Sequence, residues 1–269
     1  MSILLSAYFK EGIVFAADKN ATLYFGEEKI RQDVEVGQLT KVFTWPFEKA
    51  VVGFVGLGVL AGLEMDEWMR LFISKTRDFD DLDELARELR NEIQRDFDKE
   101  YSGPSDVSKE GLIIHLGGFV HQSHIKIPAM YLISNVSGLD KTVSGGGYKK
   151  AVRKFSVSDQ MKKLFKNLKE KYPERVRPRI IEMEQERELY TWFNNGAWYG
   201  VFNIFKQKLW ESLQMLRGME ILPENPDLMD RVAYCRMAVR MFGGFFEHFY
   251  LPHERVVGGG VDSGSIPWL

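Results

Sequence analysis

Ser2 follows Met1 directly, and a small second residue is what methionine removal generally requires. With Met1 cut off, one residue would carry both a hydroxyl nucleophile and a free α-amine, whose ordinary pKa of about 7.7–8.0 suits a general base at neutral pH. Acyl transfer then needs a cation or dipole that tunes the base, and donors that hold the developing oxyanion. Other reactive residue types are less well placed. His121 and His124 have the spacing of a metal pair, yet no carboxylate or cysteine set converges on them and they fall in a predicted loop, so no metal is expected. Glycines 145–147 and 258–260 lack both the Lys-Ser/Thr of a phosphate loop and the strand–helix context of a dinucleotide fold, so no cofactor is expected. Cys235 sits in an apolar helical stretch with no local base or cation, which reads as a buried structural thiol.

Such groups must be held by rigid elements. Residues 3–9 and 12–17 are short apolar runs split by Lys10-Glu11-Gly12, a β-hairpin. Further strands are predicted at 41–44, 50–55, 111–115, 129–134 and 142–144, each bounded by Gly, Pro, Asn or Asp. A helix is predicted over 58–74, with Leu60, Leu63, Met65, Trp68 and Phe72 as its apolar set, and another from an Asp80-Asp81 cap to about 98. Helical spacing returns at 197–216 and 227–249, and a last strand is predicted over 256–261. Strands, helix pair, strands, helix pair and strand make an α+β pattern in which two sheets stack between helix layers, a four-layer αββα sandwich.

Residues 148–194 exceed the minimum that such a plan needs and read as a helical insertion. Met161, Leu164, Phe165, Leu168 and Tyr172 share one face, while Lys162, Lys163, Lys166, Lys169 and Lys171 surround it; Pro173, Pro178 and a charged stretch follow. A solvated helix docked by its apolar face is the simpler reading, a partner or membrane-surface helix the other.

The 269 residues suit one domain with that insertion. Net charge is −2, which leaves no global electrostatic footprint for nucleic acid or an anionic membrane. A lone cysteine permits no disulfide within the chain and points to a reducing, cytoplasmic setting. No signal peptide is expected, because no basic segment leads the first apolar residues and Lys10 and Glu11 interrupt them. The longest apolar run, 50–63, is about 14 residues against the roughly 20 of a bilayer span.

The stretch Tyr8-Phe9-Lys10-Glu11-Gly12-Ile13-Val14-Phe15-Ala16-Ala17-Asp18 resembles the opening hairpin of proteasome β subunits, whose second strand ends on the catalytic acid. In that family the nucleophile lies about sixteen positions before the acid, and counting back from Asp18 lands on Ser2. Thr40-Lys41-Val42-Phe43 is similar to the lysine-bearing strand, after a longer polar loop. Val52-Gly53-Phe54-Val55-Gly56-Leu57-Gly58 resembles the strand and glycine turn that form the oxyanion hole, with a helix predicted directly behind Gly56.

The resemblance implies an N-terminal nucleophile (Ntn) hydrolase. Ser2 would attack, Lys41 would lower the pKa of its α-amine, Asp18 would hold Lys41 charged, and the Gly56 N–H would bind the oxyanion. The family places a serine in a glycine-rich turn near the nucleophile's amine. Val143-Ser144-Gly145-Gly146-Gly147 resembles that turn, Asn195-Gly196-Ala197-Trp198-Tyr199-Gly200 also resembles the turn and helix that follow it, and Ser144 is preferred. Glu254 stands where the family's last acid is usually Asp, one methylene shorter. Also implied are peptide or protein substrates, a homo-oligomeric ring and a possible ATPase partner. The alternatives are an inactive ring-forming scaffold of the same fold, or a transpeptidase or small-molecule amidase. Serine in place of the usual threonine, the long loop and the insertion are departures from the family.

Overall fold

A computed structural model describes residues 3–19, 39–102, 111–122, 125–136, 151–162, 189–196, 199–222, 225–249 and 260–267. Ser2, Ser144, Glu254, His124, the strand predicted at 142–144 and most of the basic helix face lie outside these residues.

The N-terminal hairpin pairs β1 (Ile3–Phe9) with β2 (Gly12–Asp18). Every residue of both strands is buried, which explains their unbroken apolar runs: a strand covered on both faces needs no polar alternation. Ile3, Leu5, Ala7 and Phe9 pack toward Val232, Cys235, Val239 and Phe242 of helix α4 (Leu228–Phe249) and Leu209 of helix α3 (Tyr199–Gly218). Leu4 and Tyr8, on the alternate face, meet Val51, Val55 and Met130. Cys235 is buried in the first of these clusters.

Two larger sheets organise the molecule. In the first, β10 (Leu189–Gly196) flanks β1 and β11 (Val261–Pro267) flanks β2, so the hairpin occupies the two central positions. The second runs β3 (Val42–Thr44), β4 (Ala50–Gly56), β7 (Leu112–Gln122), β8 (Ile125–Val136), β9 (Ala151–Asp159), every neighbour antiparallel. Phe43, Val52, Phe54, Ile114 and Leu116 of this sheet pack on Trp68, Met69 and Phe72 of α1 (Met65–Lys75) and on Leu85, Leu89, Ile93 and Phe97 of α2 (Leu82–Glu100). Helix α2 starts where its cap predicts, with the Asp81 carboxylate accepting the Asp83 N–H at 2.7 Å. Asp227 and Asp230 cap α4 reciprocally, each carboxylate accepting the other's N–H at 2.9 Å.

Three expectations change. The helix predicted over 58–74 begins only at Met65, because β5 (Val59–Leu60) and β6 (Leu63–Glu64) form a tight hairpin through Ala61 and Gly62, at φ 55° and 74°. Positive φ at both central residues gives a two-residue turn the twist that flanking strands require. The span 148–194, read as a helical insertion, supplies a strand near each end: β9 edges the second sheet and β10 the first. The last strand starts at Val261, where the sequence reading ends it.

Candidate active site

Antiparallel pairing brings the start of β1, the end of β2 and the start of β11 to one end of the first sheet: Leu4 pairs with Ala17, and Val261 with Asp18. Asp18 Oδ1 accepts the backbone N–H of Ile3 at 2.7 Å, and Ser2 is the residue bonded to that nitrogen. Asp18 Oδ2 lies 3.6 Å from Lys41 Nζ, and the two side chains are only 1% and 2% exposed. Of the predicted catalytic set, the structure brings these two together; Gly56 lies on β4, two residues beyond Phe54, whose N–H donates to the Lys41 carbonyl.

Lys41 precedes β3 and, among the described residues, is held by contacts to β2, β4 and β11. Its ammonium faces Asp18 of β2, its carbonyl accepts the Phe54 N–H of β4 at 3.1 Å, and its own N–H donates to Asp262 Oδ2 of β11 at 2.7 Å. Arg70 Nη2 donates to Thr40 Oγ1 at 3.1 Å and the guanidinium lies over the Phe43 ring, bracketing Lys41 in sequence. Burial lowers the Lys41 pKa below the usual lysine value, against the opposing pull of the Asp18 charge and hydrogen bond and the Asp262 charge. A buried cation of depressed pKa can depress a neighbouring amine or relay a proton.

Gly56 ends β4, two residues beyond Phe54, with φ 112°. A Cβ there would stand 2.0 Å from the Gly111 carbonyl, which accepts the Leu57 N–H at 2.9 Å, so glycine is required both by conformation and by space. Gly53 serves another close approach: a Cβ on it would lie 2.6 Å from Leu4 Cδ1. The helix dipole expected directly behind Gly56 is absent, since the β5–β6 hairpin intervenes before Met65.

The sequence reading gives neither Asp262 nor Lys19 a role. Asp262 Oδ1 holds Lys19 Nζ at 3.0 Å while Oδ2 takes the Lys41 N–H, and the Lys19 N–H donates to the Gly260 carbonyl at 3.2 Å. Strand alternation puts Asp262 on the side of Gly264, which abuts Thr44, and of Ile266, buried among residues of both sheets. A strand beginning at Val261 would have flagged it; one ending there left Asp262 outside.

His121 lies in β7 opposite Lys126. Among the described residues, no group of three or more His, Cys, Asp or Glu side chains could hold a metal ion, and no helix is long and apolar enough to cross a membrane.

No protein-family model matches the chain, and no curated protein matches it. Among solved structures it is similar to Anbu (ancestral beta-subunit) from Yersinia bercovieri, at 11% identity and a TM-score of 0.46 over 98% of this chain and 81% of that one.

Proposed function

We propose that this chain is a proteasome-like N-terminal nucleophile hydrolase that cleaves amide bonds through an acyl-enzyme on Ser2 once Met1 is removed. One observation carries the reading: the Asp18 carboxylate holds at once the N–H of Ile3, the residue after Ser2, and the buried ammonium of Lys41. A cation beside an amine lowers its pKa and keeps it available as a base at neutral pH, and Asp18 ties that cation to the residue next to Ser2.

In the proposed cycle the Ser2 hydroxyl attacks the substrate carbonyl carbon and its proton passes to the Ser2 α-amine. The oxyanion is stabilised by the Gly56 N–H. The carbon–nitrogen bond then breaks, and the proton on the α-amine leaves with the departing amine. Water attacks the resulting ester, the α-amine takes its proton, and the acid is released with Ser2 restored. Lys41 depresses the amine's pKa, Asp18 orients Lys41, and Ser144 and Glu254 complete the set by resemblance. The fold that goes with this chemistry is the four-layer αββα sandwich, with the two sheets facing across Leu4, Tyr8, Val51, Val55 and Met130. Peptide substrates, a homo-oligomeric ring, an ATPase partner and a cytoplasmic setting belong to the same proposal.

Intact mass of the protein from its own host, before and after a β-lactone trap, tests it. Loss of one methionine and a single adduct mapped to Ser2 is the expected result; retained Met1 with no adduct overturns the reading.

A further inference from the structure

We infer that the Lys19–Asp262 pair is a positioning and tuning device for Lys41, acting from the last strand on the lysine that the proposed reaction uses. Its importance for catalysis rests on the reading above; its physical test does not.

Two lysines and two aspartates alternate here. Asp18 pairs with Lys41, and the adjacent Lys19 pairs with Asp262, whose other oxygen grips the backbone of Lys41. Asp262 thus spends one oxygen on each lysine: a charge-assisted bond fixes where Lys41 leaves the main chain, and an ion pair fixes the carboxylate itself. The two contacts differ in consequence. The bond to the Lys41 N–H sets position, so that the side chain starts from a fixed point and reaches Asp18. The negative charge of Asp262 also favours protonated Lys41, and the Lys19 ammonium offsets that charge. Asp262 is 13% exposed and Lys19 25%, so solvent screens this pair more than it screens Asp18 and Lys41. Its influence on Lys41 is graded rather than all-or-none.

This arrangement makes a signed prediction that simple scaffolding does not. Among the described residues, charges facing Lys41 include Asp18 on β2 and Asp262 on β11, with Lys19 behind Asp262. Asp262→Asn removes an anion and lowers the Lys41 pKa. Lys19→Met removes a cation and frees the Asp262 charge, and both changes raise it. A merely structural contact would loosen the site in either variant and move Lys41 in one direction.

The experiment is a pH titration of the Lys41 ε-carbon by NMR in wild type, Asp262→Asn and Lys19→Met, with the resonance assigned by its loss in Lys41→Gln. The expected result is a midpoint shifted down by roughly half a pH unit in Asp262→Asn and up in Lys19→Met. Unmoved midpoints, or shifts of the same sign, overturn the inference. Should Asp262→Asn fail to fold, Lys19→Met decides alone, since it keeps the Asp262 bond to the Lys41 backbone: a rise supports the inference, and no change or a fall overturns it. The same proteins treated with the β-lactone report separately on Ser2. A wild type that takes no adduct removes the catalytic reading, while the lysine titration still stands as the test of the charge device.

Discussion

Ser6 Oγ and His115 Nδ1 share a hydrogen bond of 2.8 Å, with both residues fully buried and 109 positions apart in sequence. Ser6 belongs to β1 and His115 to β7, so the bond joins the two large sheets. Burial pushes the imidazole down to about 3, far below the usual histidine value. The folded protein therefore keeps His115 neutral where the unfolded chain would take up a proton. Stability from this source is present above about pH 6.5 and is lost as pH falls from there toward 3, by up to about 1.4 kcal/mol per unit. Urea unfolding at pH 7, 5 and 4 should show a shallower loss for His115→Asn, which cannot titrate, than for wild type. Parallel slopes would refute the assignment.

The Asp18–Lys41 pair should separate stability from chemistry. Lys41→Met leaves the Asp18 carboxylate buried without its cation and should cost about 3–5 kcal/mol. The double variant Asp18→Asn, Lys41→Met removes both charges and should recover most of that loss in the same denaturation assay. Neither protein should take the β-lactone at Ser2 at a rate within about a hundredfold of wild type. Recovery of labelling in the stable double variant would show that the pair is structural only.

Two glycines with positive φ should behave differently. Gly56→Ala brings a Cβ to 2.0 Å from the Gly111 carbonyl and should cost well over about 2 kcal/mol, since backbone strain and a clash add. Gly62→Ala, at φ 74° with open space around it, should cost only about 1 kcal/mol. Thermal unfolding of the two proteins gives the comparison directly; equal losses would mean that the Gly111 contact does not constrain Gly56.

Arg231 joins α4 to the turn of the first hairpin. Its Nε and Nη2 donate to Glu11 Oε2 and Oε1 at 2.9 and 3.1 Å, and the guanidinium lies over the rings of Phe9 and Trp210. Lysine offers neither the fork nor the flat face, so Arg231→Lys should destabilise the fold by about 2 kcal/mol or more despite the retained charge. A chemical denaturation midpoint unchanged from wild type would count against that account.

What could be read from the sequence follows from which interactions are local. Strands β1 and β2 were legible because burial on both faces leaves continuous apolar runs around a Lys-Glu-Gly turn. Helix α2 announced itself by spacing and by Asp81 at its cap, and α4 by spacing alone, its Asp227 cap emerging only in the structure. The β5–β6 hairpin did not, since Leu60, Leu63 and Met65 also fit a helical face. Strand β11 carries Asp, Ser, Gly and Pro, poor strand formers, and is held by its partner β2 and by the close fit of Gly264 under Thr44. Strands β9 and β10 flank a highly charged segment that dominated the reading of that span. Asp18 and Lys41 were found through a motif, and they do meet. Asp262 was not, because its meaning lies in a contact 221 residues away in sequence.

That separation has a consequence in time. The hairpin bearing Ile3 and Asp18 is made well before its sheet neighbours β10 and β11, which come from residues 189–196 and 261–267. At ordinary elongation rates of about 5–20 residues per second, roughly ten seconds or more pass between synthesis of Asp18 and synthesis of Asp262. Throughout that interval Lys41 lacks its bond to Asp262. The bond from Lys41 to Asp262 therefore closes only once β11 has been made and has docked beside β2, long after the hairpin it braces has left the ribosome.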